Sequence, residues 1–338
     1  MPAPSSPRAA AFLLLALCAL LSACSWGGPE QPDPEQQLQL HREFALRYFD
    51  QGDLNRAEQQ VDKGLEIDDE DHQLLLMKGW IRQRRGSARD LMVAEAIFRE
   101  VRDGEDFRVE LGLGEALERK GVLYREASEA VASGERYTEA PDPQARAEEL
   151  ARQAEDAWAE SQECYQKALQ LKPGEFQAMN GLQRVQALRG DYEGSLRWAE
   201  ELLAASKVEM DFWRERLRRP DLSADEERRL RDLLVGSTDL QVATHLTAAT
   251  LLVALGRPAE ALGHLDGAAA LRPDLAEVHS RRAQLLARLD RPGEAALAIQ
   301  EFLRHTDLAF EHPDVQRAYD MLAESERKAR QQEAPAGG

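Results

Sequence analysis

From residue 38 onward, apolar side chains recur at i, i+3, i+4 and i+7 with polar residues between them. That spacing gives each of a series of α-helices one apolar stripe to bury. No segment alternates with period two, so the pattern predicts no strands. Pro173 and Pro273 stand just past predicted helix ends, where a missing N–H costs little. The predicted fold class is all-α.

The stripes repeat. Gly52-Asp53-Leu54-x-x-Ala57 leads into Val61, Gly64-Leu65 and Ile67-Asp68. Gly256-Arg257-Pro258-x-x-Ala261 leads into Leu265, Ala268, Leu271 and Pro273. Ser161, Tyr165, Ala168-Leu169, Leu171 and Pro173 form a matching second half, and Leu113-Gly114, Leu117 and Gly121 a matching first half. Asp290-Arg291-Pro292-x-x-Ala295 opens another. Small residues at Ala45, Gly79, Gly114, Ala249 and Ala283, and again at Ala57, Ala94, Ala261 and Ala295, let neighbouring helices approach closely. Larger side chains there would overpack, at about 1–3 kcal/mol each. This pattern resembles the tetratricopeptide repeat family, whose unit is a helix–turn–helix of 34 residues. The resemblance implies a helix-turn-helix solenoid in which each unit is stable only when stacked on its neighbours.

The expected registers are 38–71, 72–106, 107–175, 176–241, 242–275 and 276–309, followed by a capping helix from His312-Pro313 and a frayed tail over 310–338. Repeats 107–175 and 176–241 are about twice the usual length. Their surplus is helical. Leu117, Lys120, Tyr124, Ala127 and Val131 form one seam, and Ala147, Ala151, Ala154, Trp158, Ser161 and Tyr165 another. These predict two long helices over 107–134 and 143–172, unless Gly121 breaks the first. In the other expanded repeat, Ser195, Ala199, Leu202, Ser206, Met210, Trp213 and Leu217 make a stripe. Ser223-x-x-Glu226 is a capping box for a return helix expected to end before Gly236-Ser237. The expectation is two long helical hairpins, either bundled or projecting as spurs of about 20 Å from opposite edges of the stack.

The N-terminus follows a different pattern. Ala9 to Leu21 (AAAFLLLALCALL) is an unbroken apolar run of 13 residues. That is too short to span a hydrocarbon core of about 30 Å and suits a signal-peptide core. It ends in Leu21-Ser22-Ala23-Cys24, which resembles the bacterial lipoprotein lipobox. The resemblance implies a leader over 1–23, lipidation of Cys24, and, with Ser25 following, sorting to the outer membrane facing the periplasm. Trp26 to Gln37 is rich in Pro, Gly and Gln, so 24–37 is expected to be a flexible tether.

Charge narrows the partners. The chain carries 43 Lys plus Arg against 61 Asp plus Glu, a net charge of −18. Removing the leader with Arg8 leaves 42 minus 61, or −19. Such a body is not expected to bind nucleic acid. Anionic lipid would repel it too, leaving the acyl group as the membrane tie. Of Cys18, Cys24 and Cys164, only Cys164 would remain a free thiol, and it is expected to be structural.

Catalytic motifs are missing. There is no His-Glu-x-x-His, Gly-x-Ser-x-Gly or phosphate loop, so neither an enzyme nor a cofactor is expected. His41, His245 and His279 recur at the same repeat position and are expected to pack, with only His245 and His279 close enough to be neighbours. Seven arginines between Arg214 and Arg231 alternate with six acids, which predicts ion pairs within the helices.

In the resembled family, first helices line a concave surface that binds peptides or helices. Carried over by position, the partner-binding groove would comprise Arg42, Leu46, Phe49, Leu76, Trp80, Arg84, Asn180, Arg184, Arg281 and Arg288, with Gln284 beside the last two. The expected function is a membrane-anchored scaffold that binds a protein partner and helps assemble or localise an envelope complex. The alternatives are an accessory of a periplasmic solute-uptake system and an adaptor of peptidoglycan hydrolases.

Overall fold

The computed structural model describes residues 33–135 and 140–333. The leader, Cys24 and the tether up to residue 32 lie outside the described residues, as do 136–139 and 334–338. Thirteen α-helices and no strand occur among the described residues, so the fold is all-α, built of helix–turn–helix units. In chain order the helices are α1 (Pro34–Asp50), α2 (Leu54–Leu65), α3 (His72–Arg85), α4 (Ala88–Glu100), α5 (Phe107–Ala132), α6 (Pro143–Leu171) and α7 (Phe176–Leu188). They continue as α8 (Tyr192–Leu217), α9 (Ala224–Ala254), α10 (Pro258–Leu271), α11 (Ala276–Arg288), α12 (Pro292–His305) and α13 (Pro313–Glu333). The chain divides into two compact units, Met1–Ile81 and Arg82–Gly338, and the division falls inside α3.

In the first unit, Leu38, Ala45, Ala57, Val61, Leu74 and Ile81 form one buried cluster. Helix α1 starts at Pro34, four residues before the stripe that predicted it. The extra turn follows from local chemistry. Pro34 occupies the first helical position, where its missing N–H would be unused, and the Asp33 carboxylate accepts from the Glu35 N–H.

In the second unit, successive helices run antiparallel. Between α5 and α6, Ser161 Oγ donates to the Gly114 carbonyl at 2.6 Å and Trp158 Nε1 to the Glu118 carbonyl at 3.2 Å. Ser128 Oγ donates to the Ala147 carbonyl at 2.7 Å. Numbers rise along one helix as they fall along the other, so the pair stays in register throughout. Gly121 does not break α5. A Cβ there would sit 2.3 Å from Trp158 Nε1, and Trp158 is only 1% exposed. The helix cost of about 1 kcal/mol for glycine is offset by burying an indole.

Helix α9 differs from expectation. It does not stop before Gly236-Ser237 but runs unbroken from Ala224 to Ala254, across the expected repeat boundary at 241/242. Gly236 has nothing within 4 Å of its Cβ position, so it faces open space and no neighbour forces a break there. The flanking turns hold the helix on both sides. Gln241 Nε2 donates to Ser206 Oγ of α8 at 3.1 Å, and Ala248 and Leu252 share a core with residues of α10. The capping box forms as read: the Glu226 N–H donates to Ser223 Oγ at 3.2 Å.

Four turns within helix pairs share one geometry. Gly52, Gly190 and Gly256 have φ of 77°, 80° and 73°, and the residue after each donates back across the turn. That left-handed residue ends a helix and satisfies its last carbonyls. Asp290 takes the same place with φ 55°, the one non-glycine residue to do so among the described residues.

Candidate functional site

The expected groove residues fall in different surroundings within each unit. In the first unit, the Arg42 Nε donates to Asp71 Oδ2 at 2.9 Å, and Asp71 is 5% exposed. Arg42 is therefore tied into the fold. Phe49 packs on the Leu38–Ala45 core, Trp80 is half-buried, and Leu46 is 51% exposed. Leu76 is 4% exposed, so it is turned into the interior rather than onto a surface. A shift of one residue turns a helical position by about 100°, which is enough to exchange a surface site for a core one.

In the second unit, Arg84 is exposed and Asn180 half-buried. Arg184 does not offer a spare cation. Its Nε and Nη2 donate to the two oxygens of Glu118 at 2.6 and 2.7 Å, and the Tyr165 hydroxyl donates to the same carboxylate at 2.7 Å. Burial opposes the charge on Arg184, but the Glu118 hydrogen bonds and attraction outweigh it and hold the guanidinium pKa above its ordinary value. Burial, reinforced by Glu118, holds the Tyr165 phenol well above its ordinary range. This three-membered cluster joins α5, α6 and α7.

Arg281 and Arg288 do come together, on α11. A cleft of about 810 Å³ opens between α11 and α13 over α12. Ala283, Ile299, Phe302, Ala318 and Met321 supply apolar walls. Its rim holds Arg281, bound to Glu277 at 2.7 Å, and Arg317, bound to Asp314. A second cleft of about 160 Å³ lies between α9 and α11, with Ala249, Val253, Leu265 and Arg288 among its walls. Arg281 and Gln284 line both clefts, so they form the ridge between them. Arg281 also reaches Thr250 Oγ1 at 3.2 Å. The rim ion pairs are exposed and worth about 0–1 kcal/mol each, so an arriving carboxylate can displace their acids at little cost.

Sequence reasoning placed Arg281, Gln284 and Arg288 in a groove but missed Phe302, Arg317 and Met321. The missed signal was the stripe Val315, Ala318, Met321 and Leu322, which marks α13 as a packing partner as well as a terminal cap.

The remaining candidates resolve locally. Cys164 is 1% exposed, and burial pushes its thiol up to about 12, so it is protonated at neutral pH and a poor nucleophile. Of the seven arginines between 214 and 231, Arg214, Arg216, Arg218, Arg228 and Arg231 find acids nearby, as in Arg216 with Asp221 and Glu226 and Arg231 with Glu227. His245 and His279 are not each other's partners. His245 Nδ1 lies 3.1 Å from His264 Nδ1, whereas His279 Nε2 meets the Pro273 carbonyl at 2.7 Å and stacks on His305. Among the described residues no cluster of three or more His, Cys, Asp or Glu is placed to hold a metal ion. No described helix is long and apolar enough to cross a membrane.

No family model matches the chain, and no curated protein does. Solved structures similar to it include TTC0263, a thermophilic tetratricopeptide repeat protein of Thermus thermophilus, at 15% identity and a TM-score of 0.44, covering 75% of this chain and 100% of that one. PilW, a widely conserved type IV pilus biogenesis factor, is 13% identical with a TM-score of 0.48, over 83% of this chain and 98% of that one. PilF of Pseudomonas aeruginosa is 12% identical with a TM-score of 0.36, over 90% of this chain and 95% of that one.

Proposed function

We propose that this chain is a protein-binding scaffold, tethered to a periplasm-facing membrane surface through lipid on Cys24, that helps assemble or localise an envelope complex. The observation that carries the binding role is the pair of adjoining clefts on α9, α11 and α13. Their apolar walls suit the side chains of an extended peptide or an amphipathic helix. The ridge of Arg281 and Gln284, with Arg288 on the wall of the smaller cleft, offers donors to backbone carbonyls and carboxylates of the same segment. The paired rim charges are exposed and readily exchanged for those of a partner. The tether rests on the apolar run before Leu21-Ser22-Ala23-Cys24 and on a body too acidic to hold an anionic bilayer by charge.

The test is in-cell photo-cross-linking from position 284 in the full chain, read by mass spectrometry. One envelope protein, cross-linked through a segment with spaced apolar residues, is expected. Arg281→Glu with Arg288→Glu should lower its recovery at least tenfold. Undiminished recovery would remove this groove from the proposal. Cys24→Ala should move the protein from the membrane to the soluble fraction, and continued membrane attachment would remove the lipid tether.

A further inference from the structure

Three helix pairs carry a histidine at one and the same place. His41 stands 11 residues before the turn residue Gly52, His245 11 before Gly256, and His279 11 before Asp290. Eight residues after each turn residue, on the facing helix, stand Gln60, His264 and Ala298. The facing position decides what the histidine does. His41 Nδ1 meets Gln60 Oε1 at 2.9 Å. His279 faces an alanine and turns to the Pro273 carbonyl. Of these three pairs, α9–α10 alone brings two imidazole nitrogens within hydrogen-bond distance, Nδ1 to Nδ1, 3.1 Å apart; His279 and His305 stack by their ring faces instead.

We infer that His245 and His264 form a proton-sensitive joint that holds α9 against α10 at neutral pH and loosens on mild acidification. With both rings neutral, one Nδ1–H donates and the other Nδ1 accepts. A doubly protonated pair has two donors facing each other and two like charges at hydrogen-bond distance. The rings have little room to swing apart. A Cβ at Gly267 would lie 2.8 Å from His245 Cε1, so the ring rests on the α10 backbone.

The surrounding charges are few. Glu200 on α8 and Glu260 on α10 favour the charged form of His264 but do not prevail over burial, and its pKa is lowered. On the α11 side, Arg282 is engaged by Asp266 at 2.7 Å. Burial, then the His264 charge, lowers the His245 pKa from 6.5 to about 4. A lowered folded-state pKa means that the unfolded chain takes the proton first. The joint is therefore at full strength above about pH 6.5 and weakens progressively as the pH falls towards 4. The smaller cleft lies next to this joint: its walls include Ala249, one turn beyond His245, and Leu265, which follows His264.

The inference needs no partner protein and is tested on the full chain alone. Amide hydrogen exchange of peptides from residues 240–271 would be compared at pH 7 and pH 5 after correction for intrinsic rates. Opening of the α9–α10 pair is expected to rise about twentyfold or more from the His245 shift. His264→Gln, which recreates the His–Gln pair of the first repeat, should reduce that rise. His245→Gln combined with His264→Gln should abolish it. Peptides from α1 and α2 serve as the internal control. An equal rise in the double variant, or no rise in the native chain, would overturn the inference. Should the double variant fail to fold, imidazole resonances of the native chain decide: a His245 signal titrating at its ordinary value of about 6.5 also overturns it.

Discussion

The α1–α2 and α9–α10 pairs are built on one plan and differ at its centre. Both end their first helix on a left-handed glycine, Gly52 or Gly256, and both seat a histidine at the same distance before it. The first pair answers that histidine with an amide, the other with a second imidazole. The second helices also start differently. Asp53 caps α2 through the Arg56 N–H, whereas Arg257 makes no side-chain cap and Pro258 opens α10 instead. The stacking geometry thus tolerates different chemistry at its polar joints. What the joint responds to is set by one residue on the facing helix.

The largest expected effect comes from a joint that is charged rather than neutral. Glu118 is 7% exposed and holds both Arg184 and Tyr165. Glu118→Ala leaves the buried Tyr165 hydroxyl unanswered, while Arg184, 43% exposed, can turn to water; the change should cost about 1–3 kcal/mol, read by urea unfolding. A loss below about 1 kcal/mol would mean that water reaches the cluster freely. Transplanting chemistry sharpens the comparison at smaller scale. Gln60→His should give the first pair the acid sensitivity of the second, about 1 kcal/mol between pH 7 and pH 5. Hydrogen exchange in α1 and α2 that stays insensitive to pH would show that facing imidazoles are not enough. The smallest effect lies at the turn. Asp290→Gly replaces the one non-glycine left-handed residue among those described and should stabilise the α11–α12 pair by about 0.5 kcal/mol. Destabilisation there would indicate that the Gln332 contact with Asp290 matters more than backbone strain.

Much of this was legible in the sequence. Apolar stripes placed α5 and α6 to within two residues, because a long uninterrupted period leaves few alternatives. The continuity of α9 was not legible. Gly236 reads as a stop, and only its exposed placement shows that it costs little. The lining of the two clefts was half legible. Arg281 and Arg288 lie near each other in sequence, so one helix presents both. Arg184 has its partner 66 residues away at Glu118, and no local pattern announces that. His264 carries no local signal, because it sits on a second helix, eight residues past its turn, and only the folded pair brings it against His245.

Helix α9 belongs to two pairs at once, meeting α8 through Gln241 and α10 through His245. It therefore fixes a rotational phase between them. Adding one residue between those contacts would turn the α10 side by about 100° relative to the α8 side. Loops beyond the 217–224 end can lengthen freely, but the stretch from Gln241 to His245 cannot change length without moving every face downstream. Length variation among relatives of this chain should accordingly gather at that far end and avoid the shared middle.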